Sequence, residues 1–92
     1  MKQVLILPSF ERSVKRLTTL EKKALGKSLE TFNSFLVSGH LPHGFRLKKI
    51  GPDHYEFRID IRLRVILKSE PGVYYLVLVG NHNEVRRYLL SS

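Results

Sequence analysis

Apolar and polar residues alternate along residues 55–68, and this is the strongest pattern in the chain. Every odd-numbered position from Tyr55 to Leu67 is apolar, whereas every even-numbered position except Ile66 is charged. A period of two predicts β-structure with one face toward a core and one charged face. The run is longer than the usual strand of about 3 to 10 residues, so we expect two strands with a reversal between them.

The reversal must preserve this alternation, because paired residues of an antiparallel ladder point to the same face. Only a loop with an odd number of residues does so, and we predict a three-residue loop at residues 61–63. The expected pairs are Asp60 with Arg64, Arg58 with Ile66, and Phe57 with Leu67. Four charged side chains would then share one outer face: Glu56, Arg58, Asp60 and Arg64.

Two interpretations of this outer face remain open. Cross-strand ion pairs on a solvated sheet face are common, and they would need no further function. The charged positions include three arginines between residues 58 and 64. The planar guanidinium group matches the geometry of phosphate oxygens, which favours binding of a polyanion.

The N-terminal half of the chain predicts one strand followed by two helices. Residues 4–7 form an apolar, β-prone run that ends at a proline. Ser9 is expected to cap a short helix, and Thr18 with Glu21 forms a capping-box motif for a second helix that ends at Gly39. The apolar residues at helical spacing are Phe10, Val14 and Leu17 in the first helix, and Leu25, Leu29, Phe32 and Leu36 in the second.

The C-terminal half predicts further strands and a short helix. Residues 45–50 alternate briefly and predict a strand. Residues 73–79 are apolar on both faces, which indicates a strand inside the sheet. Asn81 and Glu84 are spaced to cap a final helix. The order predicts an α+β fold, β-α-α-β-β-β-β-α, with the helical hairpin packed on one face of the sheet.

Composition narrows the possible functions. The 92 residues suffice for one domain, spanning 1–92, and the net charge of +8 favours nucleic acid or an acidic protein as partner. The absence of cysteine excludes disulfides, thiolate catalysis and Cys-based zinc sites. His40 and His43 have no third ligand nearby in the sequence, so we predict no metal and no cofactor. The apolar runs are far shorter than the ~20 residues of a bilayer span. We expect a cytoplasmic protein without membrane association.

Three short motifs occur in a characteristic order. They are Tyr55-x-Phe57-Arg58-Ile59, then Arg64-Val65-Ile66, and finally VLVGNHNE at residues 77–84. Together with the order of elements, they resemble the RelE/ParE superfamily of toxins from bacterial type II toxin-antitoxin systems, over nearly the whole chain. The resemblance implies a twisted antiparallel sheet with a helical hairpin on one face, a concave basic opposite face and a short C-terminal helix.

The resemblance implies two alternative activities. RelE-type toxins cut mRNA in the ribosomal A site, whereas ParE-type toxins inhibit DNA gyrase and have no nuclease chemistry. We expect a ribosome-dependent, metal-independent endoribonuclease whose partners are mRNA, the ribosome and a cognate antitoxin. A gyrase inhibitor is the alternative, as is an inactive relative that serves as a basic RNA- or antitoxin-binding module. Both branches share the scaffold, so only the site distinguishes them.

Metal-free RNA cleavage needs a base for the 2′-hydroxyl, cations for the phosphate and an acid for the leaving 5′-oxygen. The resemblance implies that Arg64 binds phosphate and that His82 is the acid, a role suited to a group titrating near neutrality. Glu56 is the candidate base, with Lys48 as the alternative. The residues expected to contact the substrate are Arg46, Lys48, Arg58, Arg62, Arg86 and Tyr88.

Each of these roles has a structural alternative. Glu56 could pair with Arg58 or Lys68, His82 could be an ordinary first-turn helix residue, and Tyr88 could be a core aromatic. Relatives with a similar ending carry a base-stacking tyrosine four residues after the histidine, where this chain has Arg86. Tyr88 lies about 200° further round the helix. Arg86 is therefore expected to add a phosphate contact.

Overall fold

A computed structural model describes residues 3–91, in which one strand and two helices precede four strands and a final helix. The elements are β1 Gln3–Ile6, α1 Pro8–Val14, α2 Thr19–Ser38, β2 Leu47–Lys49, β3 His54–Arg58, β4 Arg64–Glu70, β5 Val73–Gly80 and α3 His82–Ser91. The predicted order of elements is confirmed. Within the described residues, no helix combines the length and apolar character that a membrane span needs.

The five strands form one sheet in the order β1-β5-β4-β3-β2. Strands β2 to β5 pair antiparallel with their neighbours, whereas β1 pairs parallel with β5. The sheet is therefore mixed, and β1 is its one departure from an antiparallel arrangement. After α2 the chain enters at the far edge and reverses between successive strands until β5 lies beside β1. The predicted interior position of β5 is confirmed, because β1 and β4 flank it.

The reversal between β3 and β4 is longer than the predicted three-residue loop. It spans residues 59–63, so that Arg58 pairs with Arg64. The number of loop residues is odd, which preserves the predicted alternation of faces. The predicted register is wrong by two residues. The pairs that do not form are Asp60 with Arg64, Arg58 with Ile66, and Phe57 with Leu67.

Asp60 explains this register. Its Oδ1 accepts hydrogen bonds from the backbone N–H groups of Arg62, at 2.7 Å, and Leu63, at 2.8 Å. An aspartate that binds backbone groups two and three residues further along stabilises a turn. Asp60 therefore belongs to the loop, and the outer face lacks the carboxylate that was expected opposite Arg64.

Both N-terminal helices form as predicted, with a difference at the start of α1. Pro8 occupies the first helical turn, so the N-cap is Leu7 and not the predicted Ser9. Thr18 and Glu21 form both bonds of the capping box of α2. Gly39, with φ of 76°, ends α2 in the left-handed conformation that glycine adopts without strain.

The helices cover the two faces of the sheet unequally. α1 and α2 pack on one face through the larger core, in which the Phe32 and Phe57 rings stack with centroids 5.3 Å apart. α3 packs on the opposite face through a smaller cluster of Ile66, Val77 and Val85. The face with the charged even-numbered residues is thus only partly covered. The buried residues of the larger core are Phe10, Leu25, Phe32, Phe57, Val65, Leu67, Leu76 and Val79.

α1 also completes the edge of β5 where β1 has ended. Ser9 Oγ donates to the carbonyl oxygen of Val77 at 2.7 Å, and the N–H of Val79 donates to Ser13 Oγ at 3.0 Å. Backbone groups without partners are costly in a protein interior. The two serines therefore stabilise the last part of β5, which leads through Gly80 into α3.

Candidate functional site

Charged side chains from three strands project from the face of the sheet that carries α3. Lys48 of β2 pairs with Glu56 of β3, and Arg58 of β3 pairs with Arg64 of β4. Phe57, between Glu56 and Arg58, belongs to the core on the opposite face. Because side chains alternate along a strand, Glu56 and Arg58 point away from that core.

Two adjoining clefts on this face share Lys48 and Glu56. The first has a volume of about 400 Å³ and includes Arg46 and Arg58. The second has a volume of about 320 Å³ and extends toward α3. We call the two together the basic cleft. The predicted site residues that meet in it are Arg46, Lys48, Glu56, Arg58, Arg64, His82 and Arg86.

Arg64 and His82 are in direct contact. Arg64 Nη1 lies 3.0 Å from His82 Nδ1. A guanidinium group only donates hydrogen bonds, so Nδ1 is the acceptor and the ring carries its proton on Nε2. The Arg64 Nε atom is buried and has no hydrogen-bond partner within residues 3–91. Arg64 therefore keeps an unused donor while its Nη1 binds a neutral ring.

A like charge lies directly opposite Arg64. Its partner in β3 is Arg58, and its partner in β5 is Gly80, which has no side chain. Among the described residues, neither arginine forms an ion pair with a carboxylate. Like charges directly opposite each other destabilise a sheet. An anion bound between the two guanidinium groups would relieve this repulsion.

Glu56 is the buried acid of the basic cleft. It is 8% exposed and lies between Lys48 and Ile66 on the neighbouring strands. In residues 3–91 its carboxylate forms no hydrogen bond or ion pair. The alternative pairings with Arg58 and Lys68 therefore do not form, and Lys68 instead lies 3.7 Å from a carboxylate oxygen of Glu70. The carboxylate is therefore available to a molecule that enters the basic cleft.

The first turn of α3 fixes the position of His82. Asn81 and Glu84 exchange two hydrogen bonds of 2.9 Å, which confirms the predicted cap. Glu84 also lies 3.5 Å from Arg16, in the turn that follows α1. A Cβ atom at Gly80 would lie 3.0 Å from Glu84, so glycine provides the space that this cap occupies. His82 follows the cap and reaches Arg64.

Two residues expected to contact the substrate lie outside the basic cleft. Arg62 belongs to the loop after β3, and its Nη2 donates to Glu21 Oε2 at 3.1 Å. It borders a separate cleft of about 570 Å³ that reaches Arg64 and His82 from the side of α1 and α2. The Thr18 backbone N–H and the Arg62 guanidinium together hold the pKa of Glu21 below its usual value.

Tyr88 also points away from the basic cleft. Its hydroxyl oxygen lies 2.9 Å from His54 Nε2, and His54 Nδ1 lies 2.8 Å from Asp53 Oδ1. His54 and Asp53 were not identified as site residues from the sequence. The contact with Tyr88 spans 34 positions of sequence, so no local pattern reveals it.

Comparisons with known proteins identify the fold. No protein-family model matches the sequence, and no curated protein is significantly similar to it. A chain of the RelB–RelE antitoxin-toxin complex from Methanococcus jannaschii has a TM-score of 0.68 at 15% identity, with 91% of this chain and 96% of that chain covered.

Two further solved structures agree. A metal-bound toxin from Helicobacter pylori has a TM-score of 0.67 at 18% identity, and the alignment covers 92% of this chain and 99% of the toxin chain. The YoeB dimer from Staphylococcus aureus has a TM-score of 0.65 at 18% identity, with 88% and 97% covered. The predicted resemblance is therefore confirmed at the level of the fold, and this chain has the fold of RelE-like toxins.

Proposed function

We propose that the chain is the toxin of a type II toxin-antitoxin system and that it cleaves mRNA on the ribosome without a metal ion. The observation that carries this proposal is the pair of Arg58 and Arg64, which lie opposite each other in the sheet and, within residues 3–91, form no ion pair with a carboxylate. Glu56 and His82 lie next to this pair in the basic cleft. The similar structures include a toxin in complex with its antitoxin, which supports the same biological context.

Arg58 and Arg64 hold the scissile phosphate in this proposal. Hydrogen bonds between guanidinium and phosphate are charge-assisted and stronger than a bond to a neutral imidazole. The phosphate therefore displaces His82 from Arg64 Nη1 and also uses the free Nε donor. His82 Nδ1 is then released and can take up a proton. Substrate binding thus converts His82 from an acceptor for Arg64 into an acid.

Glu56 and His82 then move the two protons of the reaction. Glu56 removes the proton of the 2′-hydroxyl, whose oxygen attacks phosphorus and forms a 2′,3′-cyclic phosphate. His82 gives a proton to the 5′-oxygen as the bond between that oxygen and phosphorus breaks. Lys48 and Arg86 stabilise the negative charge that develops on the phosphate oxygens. The reaction consumes no water and needs no cofactor.

Ribosomes that translate a defined mRNA provide the test. The purified protein should cut the mRNA in the A site, leave a 2′,3′-cyclic phosphate and remain active in EDTA. Arg64→Ala should lower the cleavage rate by about 100- to 1,000-fold, the usual effect of losing one group that stabilises transition-state charge. Arg87→Ala is the matched control, because Arg87 lines a different cleft on α3 and should be dispensable. Intact mRNA with the wild-type protein would refute the proposal.

Two further assays separate the alternatives. A ParE-type inhibitor would block DNA supercoiling by gyrase, whereas we expect normal supercoiling in the presence of this protein. An inactive relative would leave growth unaffected when expressed alone, whereas we expect arrest. A cognate antitoxin should relieve the arrest by covering the basic cleft with an acidic segment, since complementary charge stabilises such complexes.

A further inference from the structure

A second polar cluster lies toward the C-terminal end of α3, outside the basic cleft. It consists of Tyr88, His54 and Asp53, joined by contacts of 2.9 Å and 2.8 Å. The Tyr88 and His54 rings also meet edge to face, with centroids 5.7 Å apart. We propose that this Asp53–His54–Tyr88 chain is a positioning device, which sets the rotation of α3 and so places His82 and Arg86 in the basic cleft. The functional part of this inference rests on the proposed RNA cleavage.

α3 needs such an anchor because it buries little apolar surface. Val85 is its buried residue among those described, and Leu90 is 78% exposed. Among the described residues, the cluster beneath the helix has two other buried side chains, Ile66 and Val77, and the remaining apolar side chains packed there are only partly buried. A helix with few fully buried contacts has low local stability. Polar contacts at its two ends therefore contribute to its orientation.

The His54 ring is held from both sides. Its side chain is 13% exposed, and a carboxylate only accepts hydrogen bonds, so Nδ1 donates to Asp53. In the neutral ring, Nε2 then accepts from the Tyr88 hydroxyl. Burial raises the pKa of Tyr88, which keeps the proton on that hydroxyl. The ring cannot turn over without breaking one of these bonds, so it ties the start of β3 firmly to α3.

The position of Tyr88 on the helix links the anchor to the site. Arg86 lines the basic cleft, and Tyr88 lies about 200° further round the helix from it. A bond at Tyr88 therefore determines which side of α3 faces the sheet near Arg64. Before substrate binds, the bond between Arg64 and His82 joins the other end of the helix to β4. Tyr88 serves in this arrangement as an anchor and not as a base-stacking residue.

Tyr88→Phe is the direct test, since it keeps the ring and removes only the hydroxyl. The rate of mRNA cleavage at saturating programmed ribosomes should fall about tenfold, because small displacements of reacting groups have effects of this size or larger. The KM for programmed ribosomes should change less than twofold. Tyr75→Phe is the matched control, because Tyr75 packs at the same cluster and its hydroxyl forms no hydrogen bond within residues 3–91.

A second readout does not depend on cleavage. The ¹⁵N signal of His82 Nδ1 should report the acceptor state in the wild-type protein and in Tyr75→Phe, and it should shift or broaden in Tyr88→Phe. His54→Leu should reproduce the effect of Tyr88→Phe, whereas His54→Gln should restore part of the rate through its side-chain amide.

The outcomes distinguish this inference from the proposed function. If Tyr88→Phe lowers the melting temperature but leaves both the cleavage rate and the His82 signal unchanged, Tyr88 only stabilises the fold and the inference is wrong. If the wild-type protein leaves mRNA intact, the proposed function fails. In that case the His82 signal alone decides whether the chain positions α3.

Discussion

His82 and His54 each bind a side chain across the fold, but their rings are left in different states. His82 is exposed, and its contact with Arg64 uses Nδ1 and leaves Nε2 free. His54 is largely buried, and both of its ring nitrogens are occupied, by Asp53 and Tyr88. The difference supports the role that we propose for His82. His82 keeps an unused nitrogen beside an arginine with an unused donor, whereas both ring nitrogens of His54 have partners within the protein.

Replacing each histidine by alanine should give the largest effects and tests whether the two residues have different roles. His82→Ala should lower mRNA cleavage by about 100- to 10,000-fold, the usual contribution of a positioned acid. Its free energy of unfolding should change little, because the residue is exposed. His54→Ala should instead lower the free energy of unfolding by about 1 to 3 kcal/mol, because it leaves Tyr88 without its partner.

Urea unfolding and the ribosome assay measure these two effects separately. A loss of stability in His82→Ala equal to that in His54→Ala would contradict the assignment. So would full cleavage activity without His82.

Gly80→Ala tests the cap at the end of α3 that carries His82. The added Cβ would lie 3.0 Å from Glu84, so Glu84 must shift slightly and its bond to Asn81 should weaken. Complete loss of a cap costs about 1 kcal/mol of unfolding free energy, so we expect a loss of up to that size. Amide exchange should increase at the first turn of α3 and remain unchanged near His54.

Gly26→Ala in α2 is the control for this experiment. A Cβ atom at Gly26 meets nothing within 4 Å. Alanine should therefore stabilise α2 by up to about 1 kcal/mol through its higher helix propensity. A destabilised Gly26→Ala variant, or a Gly80→Ala variant as stable as the wild type, would refute this account.

Arg58→Ala should have the smallest effect of these site substitutions, and it should stabilise the protein. Arg58 faces Arg64 without a carboxylate, so its removal should raise the free energy of unfolding by about 0.2 to 1 kcal/mol. Inorganic phosphate should raise the melting temperature of the wild-type protein and have less effect on the variant. Thermal unfolding at several phosphate concentrations checks both statements. A destabilised variant would mean that Arg58 has a favourable partner in the protein.

The sequence was sufficient to predict features that depend on residues close together in the chain. The Thr18–Glu21 and Asn81–Glu84 caps each join residues three positions apart, and both form as predicted. The alternation after Tyr55 correctly assigned the faces of β3 and β4, because an odd loop preserves the faces whatever its length.

The exact register and two site residues depended on information that patterns do not contain. Asp60 folds back on its own loop, which lengthens the reversal and brings Arg58 opposite Arg64. Arg62 and Tyr88 find their partners far away in sequence, at Glu21 and His54. Periodicity predicts which face a side chain takes, but it does not predict which distant group it will meet there.

The two serines of α1 have a mechanical consequence for the site. Ser9 and Ser13 join α1 to β5 at Val77 and Val79, immediately before the chain enters α3. α1 therefore braces the part of β5 that leads to Gly80 and His82. It does so from the face of the sheet opposite the basic cleft.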